Sequence, residues 1–343
     1  MKYEGKYTAF DPQKIDTYPI STRINKVKLE DLVLPHKAAA MKFDLHDECK
    51  KLIDTVAKAI VDNRKQSKPV LLFTGAHLIK NGFGPLIADL VNKDVLTLVA
   101  GNGATSIHDF ELAMIGQTSE YVPQALEKGQ FGMSYEFAYI NEAINYGNRK
   151  NLGFGESLGR VICDEQFRNE ALKNVMRPES PKEFKYPQMS VLATCYQKNV
   201  PFTVHVGIGT DVIDQHANFD GQAKGGCSGR DFLIYTDQIC KFAKGGVALN
   251  IGSAVTGPEV LLKAVSMAAN TGFIPKNIIT ADFDIRVFDP KQVTNESAQG
   301  YYFRDQKSVA TRIPEAFGGQ GYYVQGNQKK TVVYLYNKII ENL

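Results

Sequence analysis

Apolar residues follow two spacings along this chain. Leu45, Leu52, Ile53, Val56, Ala57 and Ile60 recur at helical intervals among Lys and Asp, which predicts a surface helix from Leu45 to Asn63. The pattern then changes to short continuous runs. Val70 to Phe73, Val95 to Ala100, Phe202 to Val206, Val247 to Ile251 and Ile278 to Ala281 each predict a strand buried on both faces. Helical stretches from Leu86 to Val91, Ile107 to Ile115 and Glu259 to Ala268 fall between them. Strands alternating with helices imply an α/β chain built on a mostly parallel sheet with helices on both faces.

Two regions break the alternation. Residues 1–45 mix Pro, Lys and Tyr without sustained periodicity and read as an N-terminal arm or wrapping segment, able to dock on a neighbouring subunit. Residues from about 116 to 188 are rich in Gly, Asn, Glu and aromatics, with helical stretches near Tyr135 to Ile144 and Phe167 to Val175. They read as a large insertion within a single domain over 46–343.

The 343 residues are 43% hydrophobic and 22% charged, enough to bury a core and too apolar for a disordered chain. The net charge of +3 is spread without a Lys/Arg block, so nucleic acid is not an expected partner. Cys49, Cys163, Cys195, Cys227 and Cys240 are odd in number and form no C-x-x-C pair, which points to a reducing cytoplasm. Neither a signal-peptide h-region nor a membrane-length apolar run is visible, so no membrane association is expected.

The candidate chemistry lies where strands end. Thr74-Gly75-Ala76-His77, Gly101-Asn102-Gly103-Ala104-Thr105-Ser106, Gly207 to Asp211 with Gly209 between, and Gly252-Ser253-Ala254 would share one rim if their strands are neighbours. Glycine lets backbone approach a phosphate closely, and a following helix N-terminus favours its charge. The second loop departs from G-x-G-x-x-G because Ser106 stands in the third glycine's place. Tight βα turns explain any one of these loops equally well. The stretch His205, Asp211, Asp214, His216, Asp220 has the residue types of a divalent-metal site, but also those of a polar wall or helix caps, and no metal is assigned. Gly155-Glu156-Ser157-Leu158-Gly159 matches the nucleophile-elbow pattern without a good preceding strand. Asp109 opens a helix, where it can serve as a cap. Tyr301-Tyr302-Phe303 reads as core or interface.

At these loops the chain resembles the deoxyhypusine synthase superfamily. The similarity runs from about Val70 to the C-terminus, through Leu71 to Gly82, Leu98 to Asp109, Ser190 to Ala193, Asn199 to Thr203 and Leu249 to Val255. It implies a Rossmann-like, doubly wound single domain, NAD at the strand ends, and a homotetramer with sites at a dimer interface. The cofactor loops it implies are the four above, with Asp109. It gives Asp214 the role of holding an amine substrate. The family's imine-forming lysine falls at or near Arg312, which stays protonated and cannot form an imine; Lys307 replaces it only in a shifted register. The family's tryptophan is absent, since the chain has none, and its histidine falls near Gly257-Pro258.

A looser similarity, in Gly101-Asn102 and His108-Asp109-x-Glu111, is to NAD-dependent proteins related to lysine-ketoglutarate reductase/saccharopine dehydrogenase, including ornithine cyclodeaminase-type enzymes. Together these readings give an NAD-dependent enzyme acting on a small amine or amino acid by hydride transfer, with Asp214 pairing the ammonium and His205 or His108 accepting the proton. Deoxyhypusine synthesis itself is not expected. The alternatives are a non-catalytic NAD-binding or regulatory protein and metal-assisted hydrolysis at the His205 to Asp220 stretch.

Overall fold

The computed structural model describes residues 3–343. Its strands are β1 (Asn25–Lys28), β2 (Val70–Thr74), β3 (Leu98–Asn102), β4 (Gln117–Glu120), β5 (Phe202–His205), β6 (Gly246–Ile251), β7 (Ile278–Asp284) and β8 (Gln320–Gln325). Six of them form one sheet in the order β5-β3-β2-β6-β7-β8, and every neighbouring pair is parallel. Counted along the chain, this sheet runs third, second, first, fourth, fifth, sixth. That is the Rossmann-like order, and the direction of winding reverses between β2 and β6.

The apolar runs are continuous because both faces are covered. On one face Val70, Leu72, Val99, Val247 and Leu249 join a core with α1 (Asp47–Lys65), α2 (Gly84–Asn92), α3 (Gly103–Ile115) and the C-terminal helix Gln328–Asn342. The other face presents Leu71, Phe73, Ala100 and Ala248 to the helices Gly221–Cys240 and Thr256–Asn270 and to a π-helix, Asp305–Arg312.

Between β4 and β5 lie α4 (Phe137–Arg149), α5 (Phe154–Cys163) and the short helices Val122–Glu127 and Glu165–Leu172, with α6 (Val191–Gln197) leading back to β5. The match to the elbow pattern fails here. Ser157 lies inside α5, fully buried, and donates to the Gly153 carbonyl at 2.6 Å, so it is a packing residue of a helix and not a nucleophile on a strand-to-helix turn.

The N-terminal arm is fastened to its own chain from Tyr18 onward. Backbone bonds join Tyr18 to Met133 and Tyr135, and the Ile20 amide donates to Glu136 Oε2 at 2.9 Å. β1 pairs antiparallel with β4. Arg23, buried, pairs with the buried Glu111 of α3. No described helix is long and apolar enough to cross a membrane.

Candidate functional site

The four glycine-bearing loops do meet on the carboxyl edge of the sheet, because β5, β3, β2 and β6 are consecutive neighbours. The Gly75 amide donates to the Ile251 carbonyl at 3.0 Å. A side chain on Gly75 would collide with the carbonyl of Gly252, so the loops after β2 and β6 touch at the point where the winding reverses. Gly252 has φ +68, a left-handed conformation natural to glycine. Thr105 Oγ1 donates to the Thr74 carbonyl at 3.2 Å and links the first and second loops.

Much of this edge is satisfied from within. Asn102 caps α3 by accepting from the Thr105 amide at 2.9 Å, and Ser106 donates back to the Gly103 carbonyl at 2.7 Å. Ser253 accepts from the Gly257 amide at 2.9 Å. Ala76 and His77 begin a five-residue helix, with Ala104 in the first turn of α3 and Ala254 exposed beside Ser253. Burial, then the charges of Lys80 and His108, lowers the His77 pKa.

Gly103 is needed for close approach, but to a carboxylate of this chain. Its Cβ would overlap the carboxylate of Asp211, which the loop from Gly207 lays against the first turn of α3. Asp211 and Asp214 in turn hold Lys224, whose Nζ lies 2.8 Å from Asp211 Oδ2, 2.6 Å from Asp214 Oδ1 and 3.0 Å from the Gly207 carbonyl. All three side chains are at most 6% exposed. The expected role of Asp214 as a substrate anchor is thereby corrected: an internal ammonium already fills its place. Asp211 is raised by burial against the opposing pull of Lys224.

Asp109 is corrected in the same way. It is fully buried and accepts from Ser190 Oγ at 2.5 Å, Val191 N at 2.8 Å and Leu192 N at 3.0 Å. It therefore fastens the start of α6 and does not face the rim. Burial, only partly offset by these bonds, pushes its pKa up to about 6.

Neither histidine suits the proton-acceptor role. His205, at the end of β5, packs between Phe73 and Tyr235 with ring centroids 5.5 and 5.4 Å away, and burial pushes its pKa down to about 3. It stays neutral and weakly basic. His108 Nδ1 lies 2.7 Å from Thr118 Oγ1 and joins the Arg23–Glu111 network on the flank of α3.

The residues of the supposed metal stretch diverge as well. His216 Nε2 meets the Gly132 carbonyl at 2.8 Å, and Asp220 caps the helix that follows it. Among the described residues no three His, Cys, Asp or Glu side chains converge on a metal position.

Lys307 and Arg312 lie on the π-helix. Lys307 is buried with Nζ 3.6 Å from the Tyr301 ring centroid, and among the described residues no carboxylate pairs with it. Burial, then the charges of Arg312 and Arg304, lowers its pKa. Arg312 is exposed, with its guanidinium carbon 5.8 Å from the same ring.

Several participants escape a reading of the sequence. Lys224 sits in the glycine-rich Gly221-Gln222-Ala223-Lys224-Gly225-Gly226, which folds as the start of α7 (Gly221–Cys240). Asn250 donates to Asp282 Oδ1 at 2.6 Å and to the Ser253 carbonyl at 2.8 Å, behind the first turn of α8 (Thr256–Asn270). A cleft of about 420 Å³ opens beside His205 between α7 and α8, with Phe232, Glu259 and Lys263 on its walls. Only the polar residues at the ends of apolar runs, Asn250 and Asp282 among them, carried a signal.

No protein-family model matches the chain, and no curated protein sequence does. Among solved structures it is similar to apo ArgZ, an arginine dihydrolase from the ornithine-ammonia cycle in Cyanobacteria, at 15% identity and a TM-score of 0.47, covering 88% of this chain and 33% of that one. AgrE in complex with ornithine and NAD+ gives 12% identity and a TM-score of 0.48 over 88% of this chain and 34% of that one. A conserved putative LOR/SDH protein from Methanococcus maripaludis S2 gives 15% identity and a TM-score of 0.45 over 90% and 74%. The chain thus spans about a third of the length of ArgZ and AgrE. Likeness at this level extends to neither family nor residue role.

Proposed function

We propose that this protein binds a dinucleotide of the NAD type along the carboxyl edge of its sheet and uses it to move hydride to or from a small amine or amino acid. The observation that carries the reading is the strand order, with the first and fourth strands side by side. In open α/β sheets ligands settle outside the carboxyl ends of the strands where the winding reverses. The residues there fit such a group. Gly75 lets the loop after β2 meet the Gly252 carbonyl, and the Gln328 side chain reaches in beside Gly252, its buried Oε1 an acceptor without a donor that a ribose hydroxyl would satisfy. The loops Thr74 to His77 and Gly252 to Ala254 would hold the pyrophosphate. When bound, the cofactor supplies the hydride acceptor or donor.

This chain's own part is to bind, orient and manage a proton. With His205 held neutral, Lys307 is the base on the π-helix side, and His77 is the one on the rim. The lowered pKa of Lys307 and its lack of a carboxylate partner favour release and uptake of a proton at Nζ. Beside it Arg286 pairs with Asp284 and Asp305, while burial and the neighbouring carboxylates raise Asp282 well above the usual carboxylate range, so these groups form an internal network at that end of the sheet.

A second reading is a binding or regulatory protein without turnover. What favours it is that Asp211 and Asp214 are occupied by Lys224. Calorimetric titration of the full chain with NAD+ and NADH, followed by absorbance of reduced nicotinamide in the presence of diamines and basic amino acids, decides between them. Binding with reduction supports the enzyme, binding without reduction supports the second reading, and absence of binding refutes both.

A further inference from the structure

Helix α7 carries glycines that its own chain does not explain. Gly226 packs against the Asn148 side chain, and a methyl group there would collide with Asn148 Oδ1 or require it to move. Gly225 and Gly229, one turn apart, have nothing within 4 Å of where a Cβ would stand. Each is less favourable in a helix interior than alanine. Such a cost is retained where something must come close to the backbone.

What borders those two glycines is the cleft of about 420 Å³ between α7 and α8, within the size range of small-molecule sites. Phe232, Val206, Ile208 and Val260 supply apolar walls, and Glu259 and Lys263 pair with each other on α8. At its base lies His205, 5% exposed. One ring nitrogen, Nε2, is 3.1 Å from Thr203 Oγ1. Nδ1 has no hydrogen-bond partner among the described residues. A nearly buried neutral imidazole with one free nitrogen can give or accept a single hydrogen bond, as its tautomer requires.

We infer that this cleft receives a planar nitrogen heteroaromatic ring, lying flat against the backbone at Gly225 and Gly229 and hydrogen-bonded to His205. The inference rests on the dinucleotide reading above and names where one of its two rings sits. A flat ring is the shape that uses a wall without Cβ atoms, because any side chain there would stand between the ring and the helix. The apolar walls suit its faces, and one polar contact at the base fixes its orientation. The cleft adjoins the N-terminal turn of α8, which leads directly from the Gly252 loop, so ring and pyrophosphate positions are continuous along one edge.

The test titrates adenosine and nicotinamide separately into the full chain by calorimetry. Wild type is compared with Gly229→Leu, Gly225→Leu and the small-residue control Gly229→Ala, alongside thermal denaturation and light scattering. One of the two rings binds wild type, and which one identifies the half of the dinucleotide involved. The leucine variants bind that ring at least about tenfold more weakly, equivalent to about 1.4 kcal/mol, without a lower Tm, while the alanine control loses less. If leucine at 229 lowers the Tm, the Gly225→Leu result stands in its place.

The inference is overturned if neither ring binds wild type, or if both leucine variants bind the ring as wild type does. It is equally overturned if they change the mass of the particle and leave ring affinity untouched, since the glycines would then serve a contact between chains. NAD+ binding equal in wild type and Gly229→Leu removes the subsite and leaves the strand-order reading standing. Ring binding without any dinucleotide binding does the reverse.

Discussion

Removing the charge of Lys224 tests how the carboxyl edge is held closed. In Lys224→Met the aliphatic stem is kept and the ammonium is lost, leaving Asp211 and Asp214 facing each other within reach of one vanished partner. Taking one member from a buried ion pair costs about 3–5 kcal/mol, because the other charge is left without compensation. Here two carboxylates are left, so the upper part of that range is expected at neutral pH. Part of the loss is recoverable in acid. A proton taken up by either carboxyl removes the repulsion, and Asp211 is already raised by burial even with Lys224 present. The stability deficit of the variant therefore shrinks as pH falls. Because the chain has no tryptophan, urea unfolding is followed by circular dichroism. The double variant Lys224→Met, Asp214→Asn should recover part of the loss, giving a coupling energy of about 0.5–3 kcal/mol. A single variant within about 0.5 kcal/mol of wild type, as for an ordinary surface change, would refute the clamp and return Asp214 to the role of an open carboxylate.

Other expectations follow from the same accounting. Asp109→Ala strips acceptors from Ser190 Oγ, Val191 N and Leu192 N, and with about 1–3 kcal/mol for each buried donor left unpaired it should destabilise by several kcal/mol in a urea titration. Asp231 accepts from the Gly155 amide at 3.0 Å and the Val204 amide at 2.7 Å, and burial pushes its pKa up to about 7. The fold thus favours its protonated form, so its contribution is complete below about pH 4 and is lost as pH rises through about 7. At 1.36 kcal/mol per pKa unit this amounts to about 4 kcal/mol. Thermal unfolding of Asp231→Asn between pH 4.5 and 8 should be flatter than that of wild type, and identical slopes would count against the assignment. In light scattering the chain is expected as an oligomer, a tetramer by the resemblance in its sequence. A mass of 38.0 kDa at every concentration would exclude that.

What the sequence discloses depends on how local the cause is. The central strands are readable because burial on both faces requires an unbroken apolar run, and β2, β3, β5, β6 and β7 lie within a few residues of the runs that predict them. The edge strand β8, Gln320-Gly-Tyr-Tyr-Val-Gln325, is polar at both ends and has no such run. Helix α7 is hidden by the very glycines that open its face to the cleft. Site roles are legible only as far as neighbours in space are neighbours in sequence. The bond between Asp109 and Ser190 spans 81 residues, and nothing around Asp109 announces it. Asp214 and Lys224 are only 10 residues apart. The pairing is still invisible, because it depends on a loop folding back over a helix that looks like a turn.

The pairing of β2 with β6 has a consequence for the chain as it is made. β2 is central, yet Val70 waits for Val247, just over half the chain later, to cover its second edge. At synthesis rates of about 5–20 residues per second, that interval is roughly 10 to 35 s. Once β3 has been made, a strand reading Val-Leu-Leu-Phe-Thr has one side paired with it and the other free to template a foreign strand. The same topology that creates a crevice at the reversal therefore leaves the nascent protein with an open sheet edge for longer than most of its other parts. Capture by a chaperone, or aggregation when none is present, should concentrate on chains released from the ribosome before residue 251.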